Sequence, residues 1–198
     1  MLTKRLNEGG CESHQPESKE SINFPATRKT YTKMSVSLDA IDRKIVTILQ
    51  ERGRISNRDL AKEIGLTTTP TLERVKRLER NGVIEGYSAR VNREALDRGM
   101  TVFSSIKLAV HHLDEMEEFT GRIAEIPEIL SCYNITGEYD YLLQIVVRDM
   151  NHYETLLRKQ LAQLPGVDRI YTSIVMSAIK EGTPVEVGLE DGGDEDAE

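Results

Sequence analysis

Between Ser56 and Gly65 the sequence leaves room for about two turns of helix, and another helical pattern starts only two residues further on. Ser56 is a capping residue with Asp59 three positions on as its capping-box partner. Leu60, Ala61 and Ile64 form a small apolar face, and Gly65 closes the segment. Upstream, Leu38, Ile41, Ile45, Ile48 and Leu49 recur at spacings of three and four. They mark one face of an amphipathic helix that Asp39 caps and Gly53 ends. Downstream, Thr67 is expected to cap a third helix that turns Leu72, Val75 and Leu78 inward and stops at Asn81-Gly82. Pro70 falls in its first turn, where a missing N–H costs little. Val83-Ile84 and the alternating run 87–91 then read as a strand. A two-turn helix joined to a third by a tight glycine turn is a helix-turn-helix, here followed by a β-wing.

From Thr101 the period changes. Residues 101–110 read as a strand, and 113–126 as a helix with Met116, Phe119, Ile123 and Ile126 on one face, stopped by Pro127. Residues 129–136 and 141–147 read as strands joined at Gly137. Tyr153, Leu156, Leu157 and Leu161 mark a second helix ending at Pro165-Gly166, and 167–179 gives a last strand. The order βαββαβ predicts a ferredoxin-like split βαβ sandwich, with a four-stranded antiparallel sheet and helices on one face. The fold class is therefore α+β. Its expected organisation is a disordered extension over 1–37, a helix-turn-helix domain over 38–86, a linker strand over 87–99, a second domain over 100–182 and an acidic disordered tail over 183–198.

Composition bounds the partners. With 198 residues, 38% of them hydrophobic, the chain can build one or two modest cores. No run approaches the ~18 apolar residues of a membrane span, and the charged amino terminus lacks a signal-peptide apolar region. Two cysteines, Cys11 and Cys132, do not make a disulfide framework and suggest a reduced, cytoplasmic setting. The net charge of −7 argues against a nucleic-acid partner until it is divided along the chain. Residues 1–37 carry +2 and residues 38–98 carry thirteen basic and ten acidic side chains, or +3; residues 99–182 carry −5 and the last sixteen −7. The helix-turn-helix is basic, the second domain acidic, and the tail more acidic still. Such a tail is expected to repel DNA and weaken non-specific binding.

At ~100° per residue, the third helix projects Thr69, Glu73, Arg74, Arg77 and Arg80 away from its apolar face, with Thr68 and Thr71 at its open start. Hydroxyls and guanidinium groups suit base edges and phosphates in a major groove. The second helix can place Asn57 and Arg58, with Arg54 just before it, against backbone phosphates near its positive end. Charge alone does not decide this, because Arg74, Lys76, Arg77 and Arg80 alternate with Glu73 and Glu79 as on any solvated helix. The motif geometry tips the reading toward DNA. In the second domain, Gly137 allows close backbone approach, so neighbouring N–H groups could meet a carboxylate while Asp140 receives an ammonium or fixes the loop. A hairpin needing glycine for its geometry and Asp for a side-chain cap explains the same residues.

Several linked motifs carry a resemblance. Leu38-Asp39 with Asp42, Gly53-Arg54-Ile55-Ser56, Leu60-Ala61, Gly65-Leu66, Arg74-Val75-Lys76-Arg77-Leu78-Glu79 and Gly82-Val83-Ile84-Glu85-Gly86-Tyr87 follow in order, with Gly137-Glu138-Tyr139-Asp140-Tyr141 in the second domain. From about Leu38 to Lys180 the chain closely resembles the Lrp/AsnC, or feast/famine, transcription regulators. The resemblance implies a winged helix-turn-helix and a RAM (regulation of amino-acid metabolism) domain of ACT-like build. It implies dimers formed through sheet-to-sheet contacts and commonly assembled to octamers, double-stranded DNA as partner, and an amino acid or related metabolite bound between RAM domains, with no cofactor. The DNA-binding residues remain those read from the two helices, namely Arg54, Asn57, Arg58, Thr68, Thr69, Thr71, Arg74 and Arg77. Carried over by position, the effector residues are Gly137, Glu138, Tyr139, Asp140, Met150, Ser173, Ile174 and Val175; Ala162 stands where some relatives have a larger aliphatic. Arg93 follows Asn92 where the family often has Pro, Thr67 replaces a frequent Ser, and Ser173 replaces a bulkier residue of some leucine-responsive members, so the effector need not be leucine.

Enzymatic readings lack support: there is no nucleophile elbow, no Cys–His signature and no phosphate loop. His111-His112 and His152 have no metal-ligand spacing, and Cys132 reads as packing. A basic aromatic RNA-binding pattern is missing around Tyr139 and Tyr141. The expected function is a cytoplasmic, nucleoid-associated DNA-binding regulator whose binding or assembly responds to an amino acid. The alternatives are an architectural DNA-wrapping protein without ligand control and a metabolite-sensing module that never meets DNA. Residues 1–33 are polar and aperiodic, and Met34 is expected to be the natural translation start. Mass spectrometry of the native protein should then find no peptide from residues 1–33, and detecting one would reject the expectation.

Overall fold

The computed structural model describes residues 36–109 and 113–188. The expected extension up to residue 35, the His111-His112 pair and the tail from residue 189 lie outside the described residues.

Three helices form the first module: α1 (Ala40–Glu51), α2 (Asn57–Ile64) and α3 (Thr68–Arg80). Their starts follow from side-chain oxygens that take up otherwise unpaired backbone donors. Asp39 accepts from the Asp42 N–H at 2.8 Å while the Asp42 carboxylate accepts from the Asp39 N–H, a complete capping box. Ser56 accepts from Asp59 N–H at 3.1 Å. Gly65, at φ 75°, ends α2 in the left-handed conformation that only glycine adopts cheaply, and this turn aims α3. Ile45, Ile48, Leu60, Ile64, Val75 and Leu78 meet in one core, so the short α2 is held by burial on both neighbours. Thr67 departs from expectation: its backbone sits at the cap position, but its side chain makes no capping bond.

The second module runs β1 (Met100–Leu108), α4 (Leu113–Ala124), β2 (Ile129–Asn134), β3 (Tyr141–Val147), α5 (Met150–Lys159) and β4 (Val167–Ile174). The sheet order is β2-β3-β1-β4 and every neighbouring pair is antiparallel. Each helix-bearing crossover therefore joins parallel strands with one strand inserted between, the split βαβ arrangement. Val102, Ile106, Leu143, Ile145 and Val147 turn one sheet face under the helices onto Phe119, Ile123, Tyr153 and Leu156. The Phe119 and Tyr141 rings lie 4.8 Å apart in a tilted pair. Within this apolar layer, the Tyr153 hydroxyl bridges Ser104 at 3.0 Å and Thr172 at 2.6 Å, tying α5 to β1 and β4.

Four expectations need correction. The run 83–91 forms no strand: Val83 and Ile84 donate to the Leu78 carbonyl and pack on the helical core, but Tyr87 and Val91 stay 52% and 60% exposed. Alternation specifies a strand only where a second strand can form the ladder, and none lies beside it among the described residues. The last strand stops at Ile174 rather than at 179: Ile174 pairs with Val102, Val175 adds one bond to Thr101, and β1 begins only at Met100, so there is no partner strand for 176–179; Met176 and Ile179 are almost fully exposed. The second helix of this module ends at Lys159, and a single 3₁₀ turn, Leu161–Gln163, carries the chain to Pro165. Leu72 is half-buried rather than a core residue.

Among the described residues no helix of the first module packs on an element of the second; the linker 81–99 and the segment after β4 join them. Tyr153→Phe is expected to cost about 1–2 kcal/mol, because the buried Ser104 hydroxyl loses its partner. The urea midpoint of the variant measures this; an unchanged midpoint would contradict the bridge.

Candidate nucleic-acid interface and ligand-site residues

The electrostatic centre of the first module is Asp42, whose side chain is 1% exposed. Arg74 Nη1 bonds its Oδ1 at 2.9 Å, Arg77 Nη2 bonds its Oδ2 at 2.5 Å, and Arg74 also reaches Asp39 at 2.5 Å. Two carboxylates from the start of α1 thus meet two guanidinium groups of α3, and the cluster is neutral. A carboxylate this buried needs its hydrogen bonds satisfied, and the two arginines and the Asp39 N–H supply them. The Arg74 guanidinium holds the Asp39 carboxyl below the usual carboxylate range, helped by the Asp42 N–H.

This arrangement corrects the expectation for α3. Arg74 and Arg77 do not project freely; both turn onto Asp42, leaving side chains 26% and 46% exposed. Thr71 is fully buried and its hydroxyl donates to the Thr67 carbonyl at 2.9 Å, so it cannot touch a base in this conformation. Position in the first turn suggested an open hydroxyl, but Thr71 lies on the same face as Val75 and Leu78. Thr68 and Thr69 are exposed, as are Arg54, Asn57 and Arg58 around the start of α2. The outward stripe of α3 is Thr69, Glu73, Lys76 and Arg80, at helical spacing. Lys76 and Arg80 therefore join the candidate surface, and the apolar period of α3 was the signal for both. Asp42 was hidden for a related reason, since an acidic residue on the apolar face of α1 looks like an interruption until its partners are known.

In the second module the eight candidate effector residues fall into two groups. The turn around Gly137, at φ 116°, lies beside the Ile106–Leu108 end of β1. There the Asp140 carboxylate accepts from the Leu108 N–H at 2.8 Å, the Asp140 N–H donates to Ile106, and Asn134 Nδ2 donates to the Asp140 carbonyl at 3.0 Å. Glu138 approaches Arg169 at 3.6 Å and the Tyr139 ring stands 6.1 Å from that of Tyr171. Ser173, Ile174 and Val175 lie at the opposite end, against Thr101–Phe103, and Met150 opens α5 just beyond β3 with half of its surface exposed. About four residues of β1, ~14 Å, separate the groups. Ala162 sits exposed on the 3₁₀ turn. Burial pushes the Cys132 thiol up to about 11, which suits packing and not nucleophilic chemistry. Among the described residues no group of His, Cys, Asp and Glu is placed to hold a metal ion, and no helix is long and apolar enough to cross a membrane.

Residues 38–85 match the winged helix-turn-helix DNA-binding family, and residues 101–185 match the Lrp/AsnC ligand binding domain. The chain belongs to the Lrp/AsnC family. It is 46% identical over 154 residues to the leucine-responsive regulatory protein of Haemophilus influenzae, covering 78% of this chain and 93% of that protein. A Neisseria meningitidis transcriptional regulator crystallised in complex with L-Met superposes with a TM-score of 0.72 at 35% identity, over 75% of this chain and 96% of that one. An AsnC family regulator from Agrobacterium tumefaciens gives 0.69 at 34% identity, over 72% and 93%. As an Lrp/AsnC protein, the chain is a DNA-binding transcription regulator with a ligand-binding domain, and not an enzyme. The first module thus belongs to the winged helix-turn-helix family although its run 83–91 forms no strand, and the four-stranded α+β module is the Lrp/AsnC ligand-binding domain.

Asp42→Ala is expected to cost about 2–3 kcal/mol, combining loss of the capping box with two arginines left without their buried partner. Chemical denaturation checks it, and a loss under 0.5 kcal/mol would contradict the anchoring role. Asp39 adds a pH dependence. Because its folded-state carboxyl is held low, its contribution is complete above the usual carboxylate range and is lost as pH falls through that range and below. Thermal stability should fall less steeply in acid for Asp39→Asn than for the wild type.

Proposed function

We propose that this regulator responds to an amino acid bound between subunits, and that the ligand shifts its assembly and hence which DNA sites it bridges. The observation that carries the reading is the division of the candidate effector residues between the two ends of one sheet. A molecule the size of an amino acid cannot touch both groups in one chain, but the Gly137–Asp140 turn of one copy and Met150 with Ser173–Val175 of another can close around it. The L-Met complex of the Neisseria regulator and the leucine-responsive name of the Haemophilus relative support an amino-acid effector.

Assembly has an obvious surface. Phe103, Ser105, Leu142, Gln144, Tyr133 and Tyr171 share the sheet face opposite the helices, and the two tyrosines are 45% and 58% exposed. A second copy covering this face gives a homodimer, and dimers combine to larger rings such as octamers. Paired α3 helices then meet half-sites about one helical turn, ~34 Å, apart. Arg54, Asn57, Arg58, Thr68, Thr69, Lys76 and Arg80 form the contact surface, with Arg77 available where a phosphate competes with Asp42. Such a protein works on the nucleoid, in the cytoplasm. Coupling to ligand requires different affinities for the two assembly states.

Isothermal titration with a panel of amino acids, paired with sedimentation velocity, tests the effector reading. Heat from at least one of them and a shift in assembly are expected. Silence across the panel favours an architectural DNA-wrapping protein without ligand control. For the DNA surface, Arg58→Ala, Lys76→Ala and Arg80→Ala should each weaken operator binding and lower the slope of log K against log salt by about 0.9. Thr71→Val should leave the slope unchanged.

A further inference from the structure

After β4 the chain turns back toward the first module. Val175 still donates to the Thr101 carbonyl at 3.0 Å. Beyond it the chain follows the linker, where Arg93 meets Glu181 at 3.2 Å and the Arg90 guanidinium lies against Gly182. It then reaches α1. The Gln50 side-chain amide meets the Val185 backbone in both directions: Nε2 donates to the carbonyl at 2.9 Å and Oε1 accepts from the N–H at 2.7 Å. Arg43, about two turns nearer the start of α1, donates to the Gly188 carbonyl. Seven helical residues rise ~10.5 Å and three extended residues span ~10 Å, so residues 185–188 run alongside α1 and antiparallel to it. The grip is polar and solvent-facing, since Val185 itself is 76% exposed.

That placement decides where the following residues emerge. Arg43 is next to Asp42, which is bonded to Arg74 and Arg77 of α3. Of the ten residues after Gly188, six are acidic (Glu190, Asp191, Asp194, Glu195, Asp196 and Glu198) and none is basic. Ten extended residues reach at most ~33–36 Å, against ~20 Å for the whole length of α3. The exposed cations Lys76 and Arg80 are therefore within reach. We propose that residues 183–188 are a strap that holds the acidic run 189–198 against the basic face of α3, where it competes with DNA phosphate. Tethering makes the competition intramolecular, so a weak electrostatic contact suffices. Specific operators, which add base contacts, displace the run more readily than random DNA does.

Fluorescence anisotropy of the full chain on a labelled duplex of random sequence, at low and at raised salt, tests this. Removing residues 189–198, or neutralising them in place with E190Q, D191N, D194N, E195Q, D196N and E198Q, should tighten low-salt binding by about three- to tenfold, and the gain should shrink as salt rises. Gln50→Ala leaves every charge in place, yet it should tighten binding similarly and add little to the truncated chain. In that variant the Val185 amide should lose its protection from hydrogen exchange. If Gln50→Ala binds as the wild type does while truncation tightens binding, the acids act by untethered repulsion and the strap is overturned. Retained Val185 protection in that variant overturns the Gln50 anchor. Unchanged or weakened binding on truncation overturns the competition itself.

Discussion

Burying the Asp42 carboxylate is the constraint on which the DNA-reading module depends. The carboxylate sits in the angle between α1 and α3 at 1% exposure, and the arginines at positions 74 and 77, with the Asp39 N–H, keep it satisfied there. A buried ion pair of this kind adds little net stability over an apolar contact, but it penalises every arrangement that separates the partners. The crossing of α1 and α3 is thus specified by charge as well as by the aliphatic core of Ile45, Leu60, Val75 and Leu78. The same pairing engages two of the four cations of α3 with a carboxylate of the protein itself, so the attraction for phosphate falls on fewer residues than the formal charge suggests.

What was legible in the sequence follows from how local each determinant is. Caps at Asp39 and Ser56, the glycine turn at Gly65 and the apolar spacing of α1 to α3 are set within one or two turns, and the helices lie where those residues put them. The split sheet was legible because each strand carries a period of two and each crossover a period near 3.6. The run 87–91 alternates without forming a strand, because alternation is necessary for a strand and a partner is what makes one. Thr71 and Arg74 depart from their helical positions for a different reason. The direction of a side chain from a short helix depends on its neighbours, and the carboxylate that captures Arg74 lies 32 residues earlier in the chain.

The second module shows the same division between local and distant information. Asp140 could be read either as a receiver for an ammonium group or as a hairpin cap, and the structure shows its carboxylate on the Leu108 N–H, pinning the hairpin to β1. The two uses need not exclude one another, because a carboxylate offers about four lone-pair sites. Motif spacing could not show that the Gly137 turn and the Ser173–Val175 segment lie at opposite ends of the sheet, since strand order is a property of the whole fold.

Among the described residues the two modules have separate cores and share no packed interface, and that has a genetic consequence. With separate cores, a substitution in the aliphatic core of the three helices removes no contact from the sheet. In the assembly proposed above, such a subunit would still join normal copies through its sheet and withdraw one DNA contact from them. Damage confined to the amino-terminal core would then act as interference by a defective partner, and damage to the sheet as simple loss.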